Sequence, residues 1–360
     1  MEDANSNKAP DLKKKKTHVT IHDLAAELKV SPSTVSRALH GHPGISQERI
    51  KAITRLAKKR NYVPNELAAG LRQSRSNCIG VITTWIDRNF HSSLIRSVEE
   101  EVSSKGMNVI ILQSHDRYKD EVENAKALLN SRVSGLIVSL AMETRDYSHF
   151  KPFFERQIPV IFADRVPREI HAHKVLVDNF KAAYQATSHL IEQGYRHIAH
   201  LSGQQHRDNY LDRQEGYVQA LKDHGIRPDK RLIYECETKS AEEGVLAVQQ
   251  LLSLKQPPDA LFSTNDTMAV SILQYFKKIG IRVPRDFGIV GFNNDPITSI
   301  IDPALTTTYN PAYEIGKHAA KLLLEHQRQN WTEKDFKTIR LETELIVRES
   351  TDKKGLRNEG

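Results

Sequence analysis

Apolar residues recur at positions i, i+3, i+4 and i+7 near the N-terminus, which predicts one face of an amphipathic helix. A second helix is predicted after Ser31, a capping serine followed by Pro32. A third is predicted from residue 46 to about residue 59. The apolar residues of the first helix are Ile21, Leu24, Ala25 and Leu28.

The three predicted helices begin with the same device. An apolar residue precedes a serine or threonine cap, and another apolar residue follows five positions later, which is the spacing of a hydrophobic staple. Three such helices over residues 19–63 are typical of a helix-turn-helix module. The alternative is some other small three-helix module. The staple pairs are Val19 with Leu24, Val30 with Val35, and Ile45 with Ile50.

Residues 64–77 are predicted to form a hinge helix and linker. The helix would start at Asn65 and end near Leu71, and Gly70 weakens it further. At about two turns it is too short to persist alone in water, so we expect a partner to order it. The polar segments 1–18 and 351–360 are predicted to be a disordered basic arm and a disordered tail.

Short apolar runs alternate with helical patterns from residue 78 onward, and the alternation begins again near residue 181. Strands buried on both faces that alternate with helices predict doubly wound parallel sheets. We therefore predict a two-lobed α/β core, like that of periplasmic binding proteins, over residues 78–350. Lobe 1 is expected at about 78–177 plus 308–329, and lobe 2 at about 178–307 plus 335–350.

Polar residues follow several of the predicted strands, where parallel sheets bind ligands. Amide, carboxylate and guanidinium groups beside an aromatic platform such as Phe90 or Phe292 suit a hydroxyl-rich ligand. Each Asp or Asn is also a common helix cap or turn residue, so the argument depends on their recurrence in both lobes. The polar candidates are Asn89, Asp164, Asn265, Asn293 and Arg213, the last in a loop before a predicted helix.

Charge divides the chain unevenly, although the net charge is only +7. Residues 1–76 contain 15 Lys and Arg against 7 Asp and Glu, a net charge of +8. The remainder contains 37 against 38, a net charge of −1. The basic excess coincides with the predicted helix-turn-helix segment, as expected for a protein that contacts DNA phosphates.

The chain has two cysteines, Cys78 and Cys236, which are too few for a disulfide framework or a metal quartet. Neither an apolar leader nor an apolar run long enough for a bilayer is present, so we expect a cytoplasmic protein without metal or cofactor. No glycine-rich phosphate loop or Gly-x-Ser-x-Gly motif favours an enzyme. A solute-binding protein or sensor is the main alternative, but it leaves the basic module unexplained.

From residue 19 to residue 350 the chain resembles the LacI/GalR family of bacterial transcription regulators. The resemblance implies a homodimeric repressor that binds a palindromic operator. A sugar, sugar acid or sugar phosphate between the lobes would control its affinity for DNA. The motifs are Val19-Thr20-Ile21-x-Asp23-Leu24-Ala25, Val30-Ser31-x-x-Thr34-Val35-Ser36-Arg37, Asp212-Arg213-x-x-Gly216-Tyr217 and Gly291-Phe292-Asn293-Asn294.

The resemblance also implies roles for single residues. Arg37 would suit a bidentate contact to guanine, and Leu71 would insert between base pairs in the minor groove. Asn293 stands where many sugar-binding members carry Asp, and Lys239 falls roughly where an aromatic often stacks, which leaves room for an acidic effector. The implied DNA contacts are Thr20, Ser33, Thr34, Ser36, Arg37, Asn65, Ala68 and Leu71. The implied effector contacts are Asn89, Phe90, Asp164, Arg213, Asn265 and Asn293.

Overall fold

The structure is a computed structural model that describes residues 19–39, 41–62, 76–327, 331–332 and 335–353. The chain divides into two compact units, Met1–Ser74 and Arg75–Gly360, which we call the small unit and the large unit. The predicted N-terminal arm, the hinge helix and residues 354–360 of the predicted C-terminal tail lie outside the described residues. The start of that predicted tail is ordered, because Thr351 is buried and its hydroxyl lies 2.8 Å from both His189 Nε2 and Thr306 Oγ1. No helix in the described part of the chain is long and apolar enough to cross a membrane.

The described residues of the small unit form three helices, α1 (Ile21–Glu27), α2 (Pro32–Leu39) and α3 (Gln47–Lys59). Thr20 and Asp23 cap α1 reciprocally, since each side chain accepts a hydrogen bond from the other's backbone N–H. The apolar faces of all three helices meet in one core, which confirms the predicted helical N-terminal region. The buried residues of this core are Leu24, Ala25, Val35, Ala38, Ile53 and Ala57.

The large unit is built from strands and helices that alternate along the chain. Its strands are β1 (Cys78–Thr83), β2 (Asn108–Gln113), β3 (Gly135–Val138), β4 (Val160–Ala163), β5 (His173–Val177), β6 (Ile198–Ser202), β7 (Ile233–Glu235), β8 (Ala260–Ser263), β9 (Gly288–Asn293), β10 (Thr306–Tyr309), β11 (Thr338–Leu341) and β12 (Glu344–Ile346). Its helices are α4 (Asn89–Ser103), α5 (Tyr118–Asn130), α6 (Lys151–Glu155), α7 (Asn179–Glu192), α8 (Asp208–Asp223), α9 (Ala241–Leu252), α10 (Asp266–Ile279) and α11 (Ala312–His326).

These strands form two sheets, ordered β11-β5-β4-β3-β1-β2 and β12-β10-β9-β8-β6-β7. All pairs in the first sheet are parallel, and in the second only β12 runs antiparallel to its neighbour. Helices α4 and α11 cover one face of the first sheet, and α5 and α6 cover the other. Helices α7 and α8 cover one face of the second sheet, and α9 and α10 cover the other. The predicted doubly wound α/β core is confirmed.

The described chain passes between the two sheets three times, after β5, after β10 and after β11. Helix α11 returns to the first sheet and packs closely on α4, where a Cβ on Gly316 would lie 2.1 Å from Ser97 Oγ.

One part of the structure differs from the expected division into lobes. Residues 335–350 were assigned wholly to the second lobe, but β11 pairs with β5 at the edge of the first sheet. Strand β11 has four residues, lies at the edge of its sheet and leaves half of its residues exposed. Its hydrophobic pattern therefore does not indicate which sheet it joins.

Candidate functional site

The outer side of α2 carries four of the residues assigned to DNA. Ser33 and Arg37 are exposed, whereas Thr34 and Ser36 are half-buried. Val35 and Ala38 of the same helix point into the core of the small unit, so the polar side of α2 faces outward. Within the described residues, Arg37 forms no ion pair.

Hydroxyl groups organise the start of α2. The Ser31 hydroxyl lies 2.7 Å from Ser33 Oγ and 2.9 Å from Thr34 Oγ1, and it also accepts the Thr34 backbone N–H at 3.1 Å. Each hydroxyl has one donor and two acceptor positions, so Ser33 and Thr34 keep capacity for a partner, whereas the three contacts of Ser31 use all of its positions. Thr20, another assigned DNA contact, is exposed and caps α1. The assigned contacts Asn65, Ala68 and Leu71 lie outside the described residues.

A cavity of about 310 Å³ in the large unit is lined by residues of both lobes. The first lobe contributes the start of α4 and the loop after β4. The second lobe contributes α8 and the segments that follow β8 and β9. We call this cavity the cleft. The structure brings together at the cleft all six residues that the sequence analysis assigned to the effector, namely Asn89, Phe90, Asp164, Arg213, Asn265 and Asn293.

Arg213 occupies the centre of the cleft wall and is 3% exposed. The sequence placed it in a loop, but it lies inside α8, which begins five residues earlier at Asp208. Its guanidinium carbon lies 3.5 Å from the centre of the Phe292 ring. Its Nε donates to Asn179 Oδ1 at 2.8 Å, and its Nη1 donates to the Thr264 carbonyl at 3.1 Å. Burial lowers the pKa of Arg213 to about 10, so it remains charged at neutral pH.

The start of α8 escaped prediction because Arg207 provides no side-chain cap hydrogen bond and the first turn, Asp208-Asn209-Tyr210-Leu211, shows no regular apolar spacing. The apolar pattern becomes regular only later in the helix, where Tyr217 and Leu221 enter the core.

Asp164 follows β4 and faces the cleft with a side chain that is 8% exposed. No described residue donates a hydrogen bond to its carboxylate. Burial raises the pKa of Asp164, although Arg165 and Arg213 act in the opposite direction. An almost enclosed carboxylate without a protein donor is suited to the hydroxyl groups of a ligand.

The backbone is strained at several cleft residues. Asp164 has φ +64°, Lys239 has φ +56° and Asn293 has φ +116°, values that are uncommon for residues other than glycine. Such conformations persist where the surrounding structure imposes them, and they concentrate at functional sites. Asn293 also accepts a hydrogen bond from Asn310 Nδ2 at 3.2 Å.

Asn265 has a supporting position. Its Oδ1 accepts the Met268 N–H at 2.8 Å and caps α10, which is the helix-cap role that the sequence analysis gave as the alternative to ligand binding. Its Nδ2 donates to the Lys239 carbonyl at 3.1 Å and so fixes the loop that holds this lysine. Asn89 is the exposed first residue of α4, and Phe90 beside it is buried.

The set of effector contacts predicted from the sequence lacks several groups of the inner cleft. Arg165 is 7% exposed and pairs with Asp116, a residue 49 positions earlier in the chain. Although burial opposes it, Asp116 raises the pKa of Arg165 above its ordinary value. The available signal was the position of Arg165 directly after Asp164, but nothing in the sequence marks Asp116 as its partner. Tyr210 also lines the cleft, with its ring 5.5 Å from the Arg213 guanidinium carbon.

His91 completes the floor of the cleft on the side of the first lobe. Its Nδ1 lies 3.0 Å from Thr83 Oγ1, and its Nε2 lies 3.0 Å from Thr84 Oγ1. Burial and the nearby Arg165 lower the pKa of His91 to about 3, so the ring is neutral. Across the described parts of the chain, no group of three His, Cys, Asp or Glu side chains is arranged to hold a metal ion.

A helix-turn-helix unit followed by a two-lobed α/β core with a polar cleft defines a class of ligand-responsive DNA-binding regulators. The comparisons with known families agree. Residues 20–65 match the family described as bacterial regulatory proteins, lacI family. Residues 187–351 match the periplasmic binding protein-like domain.

Two relatives match nearly the whole chain. The HTH-type transcriptional repressor CytR of Escherichia coli (strain K12) is 33% identical over 340 residues, which cover 94% of this chain and 98% of CytR. The NTD biosynthesis operon regulator NtdR of Bacillus subtilis (strain 168) is 31% identical over 332 residues, which cover 92% of this chain and 99% of NtdR. The chain therefore belongs to the LacI family and is a DNA-binding transcription regulator.

Solved structures show the same fold. The lac repressor dimer bound to operator and the anti-inducer ONPF has a TM-score of 0.81 at 23% identity and covers 93% of this chain and 99% of its own. The complex of the transcriptional regulator CelR with cellobiose has a TM-score of 0.70 at 27% identity and covers 92% of this chain and 100% of its own.

Proposed function

We propose that this regulator is a cytoplasmic repressor that binds a palindromic operator as a homodimer. A carbohydrate-like effector in the cleft controls its affinity for that operator. The observation that carries the effector assignment is the arrangement of Arg213 and Asp164. A buried guanidinium stacked on Phe292 and a buried carboxylate without a protein donor line one cavity.

The chemistry of the cleft supports a hydroxyl-rich ligand. A guanidinium fork donates to neighbouring hydroxyl oxygens, a carboxylate accepts from hydroxyl hydrogens, and aromatic rings such as Tyr210 pack on the apolar face of a sugar. A volume of about 310 Å³ is at the small end of ligand pockets, which suits a ligand of monosaccharide size.

Contacts between the lobes support a role for the ligand in closure. Arg168 of the first lobe lies 2.8 Å from Asp208 and 2.7 Å from Asp212 of the second. His206 of the second lobe shares a hydrogen bond with the Met142 carbonyl of the first at 2.6 Å. A ligand held by both lobes stabilises the closed arrangement over an open one and so shifts the population between them.

The homodimer is proposed from the solved lac repressor dimer, and exposed apolar side chains of the large unit are candidates for its interface. Leu246 on α9 is 56% exposed and Ile279 at the end of α10 is 46% exposed, while Ile86 and Ile111 on the first lobe are 51% and 40% exposed. Such residues are common at protein interfaces when they cluster. The lac repressor structure, which shares this fold, is itself a dimer bound to operator.

The residues of α2 support direct reading of DNA. Arg37 is exposed on the polar side of a helix that is held by the small core, and its guanidinium suits the acceptor pair of guanine in the major groove. Ser33, Thr34 and Ser36 lie on the same helix and suit shorter contacts to bases or phosphates.

The test is Arg213→Ala. An operator is first selected from random-sequence DNA with the purified protein, and ligands are found by thermal shift among sugars, sugar acids and sugar phosphates. We expect Arg213→Ala to bind the operator like the unaltered protein but to bind the ligand about 30-fold or more weakly, because a buried charged donor is lost. Gel-shift titration with and without ligand measures both quantities.

Arg231→Ala is the matched control, because Arg231 is an exposed arginine of the same unit that pairs with Asp229. It should respond to the ligand like the unaltered protein. A normal ligand response in Arg213→Ala would remove the cleft from the mechanism.

A further inference from the structure

The inner wall of the cleft holds more positive than negative charge. Its cations are Arg165, Arg213 and Lys239, which are 7%, 3% and 3% exposed. Its carboxylate is Asp164, and Asp116, which does not line the cleft, contacts Arg165 and Lys239. With all five groups ionised, one positive charge is left without a counterpart. Three further charged residues of the cleft are exposed or half-buried at the outer rim, where water can screen them; these are Asp87, Arg88 and Asp295.

Lys239 is the least compensated of the three cations. Its backbone is fixed, because its N–H donates to the Glu243 carboxylate and its carbonyl accepts from Asn265. Its Nζ lies 4.0 Å from Asp116 Oδ2 and 5.1 Å from the centre of the Tyr210 ring. Among the described residues, none forms a hydrogen bond of good geometry with this nitrogen. Burial lowers the pKa of Lys239, while the nearby Tyr210 hydroxyl and Asp116 act in the opposite direction. An ammonium group has three donors, so all three lack an acceptor of good geometry.

Asp116 compensates Lys239 only in part, because the same carboxylate also binds Arg165 and two further donors. Its Oδ1 accepts from Arg165 Nη1 and from the Met142 N–H at 3.0 Å. Its Oδ2 accepts from Trp85 Nε1 at 3.2 Å. Arg165 in turn keeps its Nε buried without an acceptor among the residues described. One carboxylate thus serves two buried cations and satisfies neither completely.

The pKa of the Tyr210 hydroxyl reflects the positive electrostatic potential inside the cleft. Burial by itself would raise the pKa of its hydroxyl, but Lys239, Arg165 and Arg213 lower it below the ordinary value. Burying a charged group without a partner costs several kcal/mol, so an uncompensated buried cation is not retained for stability. A ligand that brings negative charge removes this cost when it binds.

We propose that the effector carries an acidic group, a carboxylate or a phosphate monoester, and that this group binds Lys239 beside Arg165. The inference rests on the proposed function, since it names the chemical class of the ligand for the same cleft. Asp164 and Arg213 then face the hydroxyl groups of the ligand. Lys239 lines the cleft, and its flexible stem allows the ammonium to turn toward the incoming anion. A neutral sugar needs no buried ammonium and would leave Lys239 uncompensated.

The experiment uses the purified full chain without DNA and follows thermal unfolding by tryptophan fluorescence. Both tryptophans, Trp85 and Trp331, belong to the large unit. The probes are inorganic phosphate, acetate, and two matched pairs, galacturonate with galactose and glucose 6-phosphate with glucose, all at constant ionic strength. We expect at least one anion to raise the midpoint temperature of unfolding. The concentration of an acidic sugar that gives half of its full effect should be about tenfold or more lower than that of its neutral partner.

Three variants make the result specific. Lys239→Gln should weaken the response to the acidic probes about tenfold or more, whereas Lys239→Arg should keep most of it because the positive charge remains. Lys255→Gln removes an exposed lysine of the same unit and should behave like the unaltered protein. Phosphate stabilises folded proteins in general, so the difference between Lys239→Gln and Lys255→Gln is the decisive quantity. The relative response to phosphate and acetate tells which acid the site prefers.

The outcomes separate this proposal from the proposed function. If no anion raises the midpoint, or if Lys239→Gln responds like Lys255→Gln, the acidic group is wrong. If a neutral sugar binds as well as its acidic partner and changes operator affinity, the effector cleft stands and the acidic group is again wrong. If the acidic probes bind through Lys239 but the bound ligand leaves operator affinity unchanged, the anion site stands and the effector role fails.

Discussion

The cations that we propose to be functional lie in opposite environments in the two units of this regulator. Arg37 of the small unit is exposed on α2, whereas Arg165, Arg213 and Lys239 of the large unit are at least nine-tenths buried. An exposed guanidinium stays hydrated, so the protein keeps it at little cost until DNA replaces the water. A buried cation must be compensated, so a missing partner points to a ligand. The lack of a protein partner therefore indicates a ligand for a buried cation but not for an exposed one.

The hydrophobic cores of the two units also differ, in size and in number. In its described residues the small unit has one core of six buried apolar residues, which belong to helices fixed by local caps and staples. The large unit has four clusters on the faces of its two sheets. A unit with a small core has a small free energy of unfolding, because a short chain buries a smaller fraction of its surface. The DNA-contact unit should therefore be the more fragile part of the molecule.

The largest expected effect tests this fragility. Leu24 is 1% exposed in the core of the small unit, and Leu24→Ala should cost about 2–5 kcal/mol of its free energy of unfolding. We expect operator binding to be lost in a gel shift while the tryptophan unfolding midpoint, which reports the large unit, is unchanged. Ala26→Ser on the exposed face of α1 serves as the control. Retained operator binding in Leu24→Ala would show that the small core has more reserve than its size indicates.

A smaller effect tests the role of the exposed cation. Arg37→Ala should weaken specific operator binding by about 1–3 kcal/mol, because a bidentate contact to a base is lost. Binding to non-specific DNA should change much less, and the unfolding midpoint of the small unit should not change, since Arg37 lies outside the core. Competition titrations with operator and random DNA measure the difference. Equal losses on both DNAs would make Arg37 a phosphate contact.

The smallest effect concerns a buried titratable group of the large unit. His200 is fully buried and stacks on Phe262 with ring centres 4.9 Å apart, and burial lowers its pKa to about 3 from 6.5. Between these values the unfolded chain binds a proton that the folded chain does not, so stability falls as the pH drops below 6.5. From pH 8 to pH 5.5 the loss for this one group is about 1.4 kcal/mol.

Urea unfolding followed by tryptophan fluorescence at the two pH values checks this expectation. His200→Gln should reduce the pH dependence, while the exposed neighbour His197→Gln should leave it intact. His91 should contribute in the same direction, since burial also lowers its pKa to about 3, so the dependence should shrink rather than vanish. An unchanged pH dependence in His200→Gln would show that His200 does not titrate in this way.

The helices of the small unit could be predicted from the sequence because the signals that set them are local. The Thr20–Asp23 capping box, the serine before Pro32 and the apolar positions of α1 act within a few residues of one another. The central strands of the large unit were equally readable, since a run such as β3 is buried on both faces and therefore wholly apolar. Asn89, Asp164, Asn265 and Asn293 could be found because they follow strands whose ends meet at the cleft, whereas Arg213 lies inside α8 and its role was implied by the family resemblance.

The sequence by itself determined the family, the three N-terminal helices and the alternation of strands and helices. Only the tertiary structure decided that β11 joins the first sheet, that Arg213 lies inside α8, and that Asp116 is shared by Arg165 and Lys239. These features depend on contacts between segments far apart in the chain, which local periodicity does not encode. Whether a buried charge is compensated depends on every group that packing brings within a few ångströms of it. Those groups come from distant parts of the chain, so the sequence does not reveal them.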